Sequence, residues 1–106
     1  SAEIQKRLRA AAETPLATAE AAARIISIAG SLAEFGNENA LSDLETATYL
    51  AHASLQGALS NVTINLNGIK DEGYRESLRS KVQILKNQAE LEKSAAIRTL
   101  ASRAGR

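Results

Sequence analysis

The sequence contains no cysteine, no methionine and no tryptophan, a single proline and a single histidine, and only two tyrosines and one phenylalanine among 106 residues. Without cysteine there can be neither a disulfide nor a thiolate zinc site, which fits a cytoplasmic protein. The lone histidine, His52, has Thr48 and Gln56 at its i−4 and i+4 positions, so no second ligand stands at helical spacing and no metal is expected. We read it as a solvent-facing or hydrogen-bonded helix residue. Charge of one sign is also missing: 13 basic residues balance 12 acidic ones, and no basic block of the kind that grips nucleic acid occurs. No uninterrupted apolar run approaches the roughly 20 residues of a membrane span, and no signal-peptide pattern opens the chain. Neither nucleic acid nor membrane is therefore an expected partner. A chain that begins Ser1-Ala2-Glu3, lacks methionine and ends at Arg106 reads as a processed or truncated product. Intact mass against the open reading frame decides that point.

What the chain does have is alanine. Hydrophobic residues make up 44% of it, and alanine dominates that set. Alanine is the best helix former because it loses no side-chain entropy. It also buries little area, and burial contributes only about 0.8 kcal/mol per CH₂. Alanine-rich helices must therefore pack closely and over long contacts, often against a second copy. The length suits one domain. The composition predicts an all-α protein that needs more surface than one chain supplies.

Apolar spacing places the helices. Ile4, Leu8, Ala12, Leu16, Ala19, Ala23, Ile26 and the Leu32/Phe35 pair recur mostly at three- and four-residue steps, predicting helix over about 2–35. Thr14-Pro15 interrupts this run, so the segment is either one kinked helix or two helices meeting at Pro15. Gly36 is expected to stop it in a left-handed C′ conformation. Ser42-Asp43-Leu44-Glu45 has the form of a capping box, predicting a second helix over 42–66 with Leu44, Ala47, Ala51, Leu55, Ala58 and Val62 on its buried face. Ser54 and Gly57 lie beside that face and are small enough for close helix contact. The alternation of Val62, Ile64 and Leu66 before Asn67-Gly68 also suits a strand. No second strand-like run exists to pair with it, so helix is the better reading. Asp71 is suited to cap a third helix, over about 71–104, burying Tyr74, Leu78, Val82, Leu85 and Ala89.

Catalysis is not legible from single residues. No glycine-rich phosphate loop or nucleophile elbow occurs. The polar groups that invite attention are amides. Asn61 and Asn65 share a helix face amid apolar neighbours, where asparagine is a poor helix residue and needs partners, a cap or a ligand. Asn37, Asn39, Ser42 and Asp43 suit turn and capping chemistry without any further role.

Two stretches give these residues a context. Gly36-Asn37-Glu38-Asn39-Ala40-Leu41-Ser42-Asp43 resembles the G-N-x-N-A-x-S-D loop of the formiminotransferase-cyclodeaminase family. Asn61-Val62-Thr63-Ile64-Asn65-Leu66, with Ile69 and Asp71, is similar to that family's N-V-x-I-N-L-x-x-I-x-D segment, and Thr14-Pro15-Leu16 resembles its V/T-P-L. The elements stand in family order and cover most of residues 5 to 85. The resemblance implies an all-α, up-and-down bundle of long helices that associates as a homodimer. It also implies a folate one-carbon enzyme, either 5-formiminotetrahydrofolate cyclodeaminase or 5,10-methenyltetrahydrofolate cyclohydrolase. A tetrahydrofolate derivative would be the substrate, with no metal. Asn37, Asn39, Ser42, Asp43, Asn61 and Asn65 would be substrate-binding, converging from two neighbouring helices on one cleft.

The family's P-G-G-G-S segment and the acid of its D-x-x-A-F-type helix do not occur here. The chain thus resembles the C-terminal part of a cyclodeaminase domain, its catalytic group lying upstream, and little activity is expected of it alone. The alternative reading is a non-catalytic, alanine-rich helical interaction module whose polar residues are caps and interhelix bonds. A third is a degenerate relative that keeps the fold for subunit assembly.

Overall fold

A computed structural model describes residues 1–106 as three long helices: α1 (Ala2–Phe35), α2 (Leu41–Leu66) and α3 (Glu72–Arg103), with a 3₁₀ turn at Glu38–Ala40 and no strands. The bundle runs up, down and up. Ala11 lies beside Asn65 and Gly36 beside Leu44, so α1 and α2 are antiparallel. Glu13 meets Tyr74 and Ala33 meets Arg103, so α3 runs parallel to α1. Residues 61–66 are helical, as the missing partner strand required.

Burial follows heptad-like spacing. On α1 the enclosed residues are Ala12, Leu16, Ala19, Ala22, Ile26, Ala29 and Ala33. They stack into three layers with the buried faces of α2 and α3. Leu16, Val62, Leu66, Ile69 and Leu78 fill one end; Ile26, Leu55 and Leu59 the middle; Leu41 and Leu100 the other end. The expected α1 face needs correcting. Ile4, Leu32 and Phe35 are exposed, Phe35 by 82%. Leu32 and Phe35, with Ile25 and Ile28, form a second apolar stripe turned out of the core, while Ile4 is exposed near the start of the helix. By length and composition alone α1 is long and apolar enough to cross a membrane, a property not evident from uninterrupted runs. Only 20 residues are buried.

α1 is continuous through Pro15, so the segment is one helix rather than two meeting there, without the break near Pro15. Two local expectations are corrected. Gly36 is extended rather than left-handed, with φ −61° and ψ 154°, because the chain leaves α1 straight into the 3₁₀ turn. A side chain there would still be costly, since a Cβ would lie 2.7 Å from the Leu32 carbonyl oxygen. The Ser42 capping box does not form. α2 begins one residue earlier, at Leu41, with Ala40 at the N-cap and no side-chain cap bond, while Glu45 is drawn to Arg106. Asn37 instead caps the 3₁₀ turn, its Oδ1 accepting the Asn39 N–H at 2.8 Å.

Candidate functional site

The polar residues gather at the two ends of the bundle. At the α2–α3 corner, Asp71 caps α3 as expected, accepting the Tyr74 N–H at 3.1 Å, and pairs with Arg9 at 2.7 Å. The Tyr74 N–H, followed by the Arg9 guanidinium, holds its carboxyl below the usual range. Arg9 also stacks over the Tyr74 ring, 4.3 Å from its centroid, and the Tyr74 hydroxyl donates to Glu13 at 2.6 Å. Burial first, and the Glu13 carboxylate second, push the tyrosine up to about 12, so it stays a donor at neutral pH. Gln5 clasps the turn from α1, donating to the Gly68 carbonyl and accepting from the Lys70 N–H. Arg9, Glu13 and Gln5 carried no sequence signal, because their partners lie more than 60 positions away.

Asn65 sits in this corner with its amide engaged. Proline cannot donate to the carbonyl four residues before it, so Pro15 leaves Ala11 C=O without its helical partner. The Asn65 Nδ2 donates to that oxygen at 3.2 Å and to the Asn61 carbonyl at 2.9 Å. Two motifs that looked separate in the sequence are thus joined: one opens a gap in the α1 ladder and the other fills it. Ile69, 1% exposed, plugs the same corner, and Asn61 is exposed.

At the opposite end, Asn39 and Ser42 line a shallow cleft of about 430 Å³ with Glu45, Arg103 and Arg106. Arg103 is anchored on the Ala33 carbonyl, and Arg106 pairs with Glu45, whose carboxyl its hydrogen bond lowers. Asp43 is exposed and outside this cleft, since successive helix residues point about 100° apart. The expected convergence of the two amide groups within one chain therefore fails. The first group lies in the 3₁₀ turn and the first residues of α2, the second near the far end of α2, and the 22 residues from Asp43 to Asn65 span about 33 Å of helix. A separate groove of about 320 Å³ between α1 and α3, floored by Gly30 and Ala96, contains none of the candidates.

The His52 Nε2 lies 2.9 Å from a Glu90 carboxylate oxygen on α3, so the side chain faces across the bundle. No group of three or more His, Cys, Asp or Glu side chains is placed to hold a metal ion.

The family model described as formiminotransferase-cyclodeaminase matches residues 1–84. A methenyltetrahydrofolate cyclohydrolase from Methylorubrum extorquens is 37% identical over 76 residues, covering 72% of this chain and 36% of that protein. Formimidoyltransferase-cyclodeaminases from Rattus norvegicus and Sus scrofa are each 31% identical over nearly the whole chain, 94% and 97% of it. The chain spans 18% and 19% of their lengths.

Proposed function

Because the chain belongs to the formiminotransferase-cyclodeaminase family, we propose that it is the C-terminal helical portion of an enzyme acting on one-carbon tetrahydrofolate. The observation that carries this reading is the family match over residues 1–84, which takes in both amide motifs. Two reactions share the required chemistry. In cyclodeamination, N10 attacks the formimino carbon on N5, the ring closes to 5,10-methenyltetrahydrofolate and ammonia leaves. In cyclohydrolysis, water adds to the methenyl carbon and the ring opens to 10-formyltetrahydrofolate. Both pass through a tetrahedral carbon and need a proton carrier within hydrogen-bond reach. The carrier is assigned to the part of the domain outside these residues. Asp43, Asn39, Ser42 and Asn61 would bind and orient the folate; Asn37 and Asn65 would hold the backbone at the two corners. Homodimer association and a cytoplasmic location belong to the same proposal.

The test is turnover of 5,10-methenyltetrahydrofolate, followed by its absorbance, with the longer protein that contains this chain. Asp43→Asn and Asn61→Ala should each lower kcat/KM at least about tenfold, the worth of one hydrogen bond to a charged group. Full activity in both variants would refute the site assignment. A second reading, a non-catalytic helical module, is favoured by the backbone duties of Asn37 and Asn65. It requires that neither substitution affect any folate-dependent signal.

A further inference from the structure

The cleft at the start of α2 holds more hydrogen-bond donors than the chain uses. It encloses about 430 Å³, and of its 8 lining residues only Leu41 and Ala104 are apolar. A guanidinium carries five N–H donors in a rigid fork. Arg103, partly buried, uses its Nη1 on the Ala33 carbonyl at 2.9 Å, and no carboxylate of the chain pairs with it. That bond fixes one arm of the fork on the α1 backbone, so its remaining donors are held in place before any ligand arrives. The Asn39 amide and the Ser42 hydroxyl are free as well, since within the chain these residues bond only through their backbones. The neighbouring ion pair indicates which group suits the site. Arg106 closes on Glu45 with both terminal nitrogens, one to each carboxylate oxygen, the arrangement in which a guanidinium recognises a carboxylate best. This pair also neutralises one of the two acids in the lining. The other, Glu38, is exposed and screened by solvent, whereas a carboxylate in contact with the Arg103 fork is not.

We propose that this cleft binds a carboxylate of the substrate's glutamyl tail. Arg103 supplies the fork, Asn39 and Ser42 supply further donors, and Arg106 keeps Glu45 from repelling the incoming charge. The proposal rests on the folate reading above, which provides a substrate that ends in two carboxylates. It divides the labour between the ends of α2: the first polar group holds the tail and takes no part in the chemistry at the one-carbon unit. Arg103 and Arg106 lie beyond residues 1–84, so the family match does not assign them. They reach the cleft because α3 runs parallel to α1 and ends beside the turn that opens α2.

Equilibrium dialysis on the longer protein that contains this chain tests the cleft with two compounds. One is 5-formyltetrahydrofolate; the other is its diamide, of the same size but without the two tail carboxylates. The wild type should hold the acid at least about tenfold tighter, the worth of one hydrogen bond to a charged group. Arg103→Gln should abolish that preference and leave binding of the diamide unchanged; an arginine needed only for the fold would weaken both compounds alike. Arg106→Gln should weaken the acid alone, by about threefold, because it leaves Glu45 unpaired beside the ligand. Adding Glu45→Gln to that variant should restore the loss, so this surface pair tests the cleft independently of Arg103. Equal affinity of the wild type for acid and diamide, or a preference that survives Arg103→Gln, overturns the tail site and leaves the folate reading standing. Binding of neither compound overturns the folate reading and the tail site with it. Inorganic phosphate that competes as well as glutarate marks a general anion site and overturns the assignment to a carboxylate.

Discussion

If Asn65 replaces the hydrogen bond that Pro15 removes, the two residues must be energetically coupled, and the coupling has a definite sign. Replacing Asn65 by alanine removes one net hydrogen bond, about 1 kcal/mol, from the Ala11 carbonyl. Alanine also fits a helix better than asparagine by about 0.6 kcal/mol, so the single substitution should destabilise by only about 0.4 kcal/mol. In a Pro15→Ala background the backbone N–H restored at position 15 can reach the Ala11 carbonyl, as in any uninterrupted helix. Asn65→Ala should then be stabilising, by about 0.6 kcal/mol, since only the propensity gain remains. The coupling of about 1 kcal/mol corresponds to roughly 4–8 °C in Tm for a domain of this size. Urea titrations followed by circular dichroism on the four proteins, at one fixed protein concentration, measure it. The propensity difference cancels in the cycle, which isolates the interaction. Additivity within about 0.3 kcal/mol, or Asn65→Ala acting identically in both backgrounds, would refute the backbone-repair role.

Three further outcomes follow from the geometry. Gly36→Ala should destabilise by about 1–3 kcal/mol, because its Cβ would lie 2.7 Å from a backbone oxygen that cannot move away. Gly68→Ala should cost less, since its Cβ would meet the flexible end of Leu8 at 3.2 Å; thermal melts that rank the two the other way would contradict this packing. Tyr74 ionises at higher pH folded than unfolded, so its contribution to stability is intact below pH 10 and is lost as pH rises from about 10 to 12. Tyr74→Phe should remove that part of the alkaline fall, and the absorbance titration lost in this variant should centre near 12. Asp71 is displaced the other way, so its contribution is present above its ordinary pKa of 3.8 and fades as pH falls below it. Asp71→Ala should lower Tm at neutral pH and Asp71→Asn less so, because asparagine still caps α3.

Much of the fold was legible because helical periodicity is a local property. Leu55, Ala58 and Val62 could be placed in the core from spacing alone, and residues 61–66 could be assigned to helix for want of a second strand. Residues whose state depends on distant partners were not legible. Ser42-Asp43-Leu44-Glu45 has the local form of a cap, yet Glu45 turns to Arg106, 61 positions away, and the 3₁₀ turn capped by Asn37 has already started the helix. Leu32 and Phe35 look like core by type and spacing. They are exposed because α1 has two neighbours and more apolar residues than those neighbours cover. The candidate site was legible as residue types and motifs. Its geometry was not, because a motif gives order along the chain and not distance: one group stands at the start of α2 and the other near its end, and the helix keeps them apart.

That separation offers the most direct measurement of the account. A chain carrying nitroxides at both Asp43→Cys and Asn61→Cys, diluted with unlabelled chain, is read by pulsed electron paramagnetic resonance. The 18 residues between them lie on one continuous helix, so the spin–spin distance should centre near about 27 Å. A distance below about 15 Å would contradict a helix that keeps the two polar groups apart.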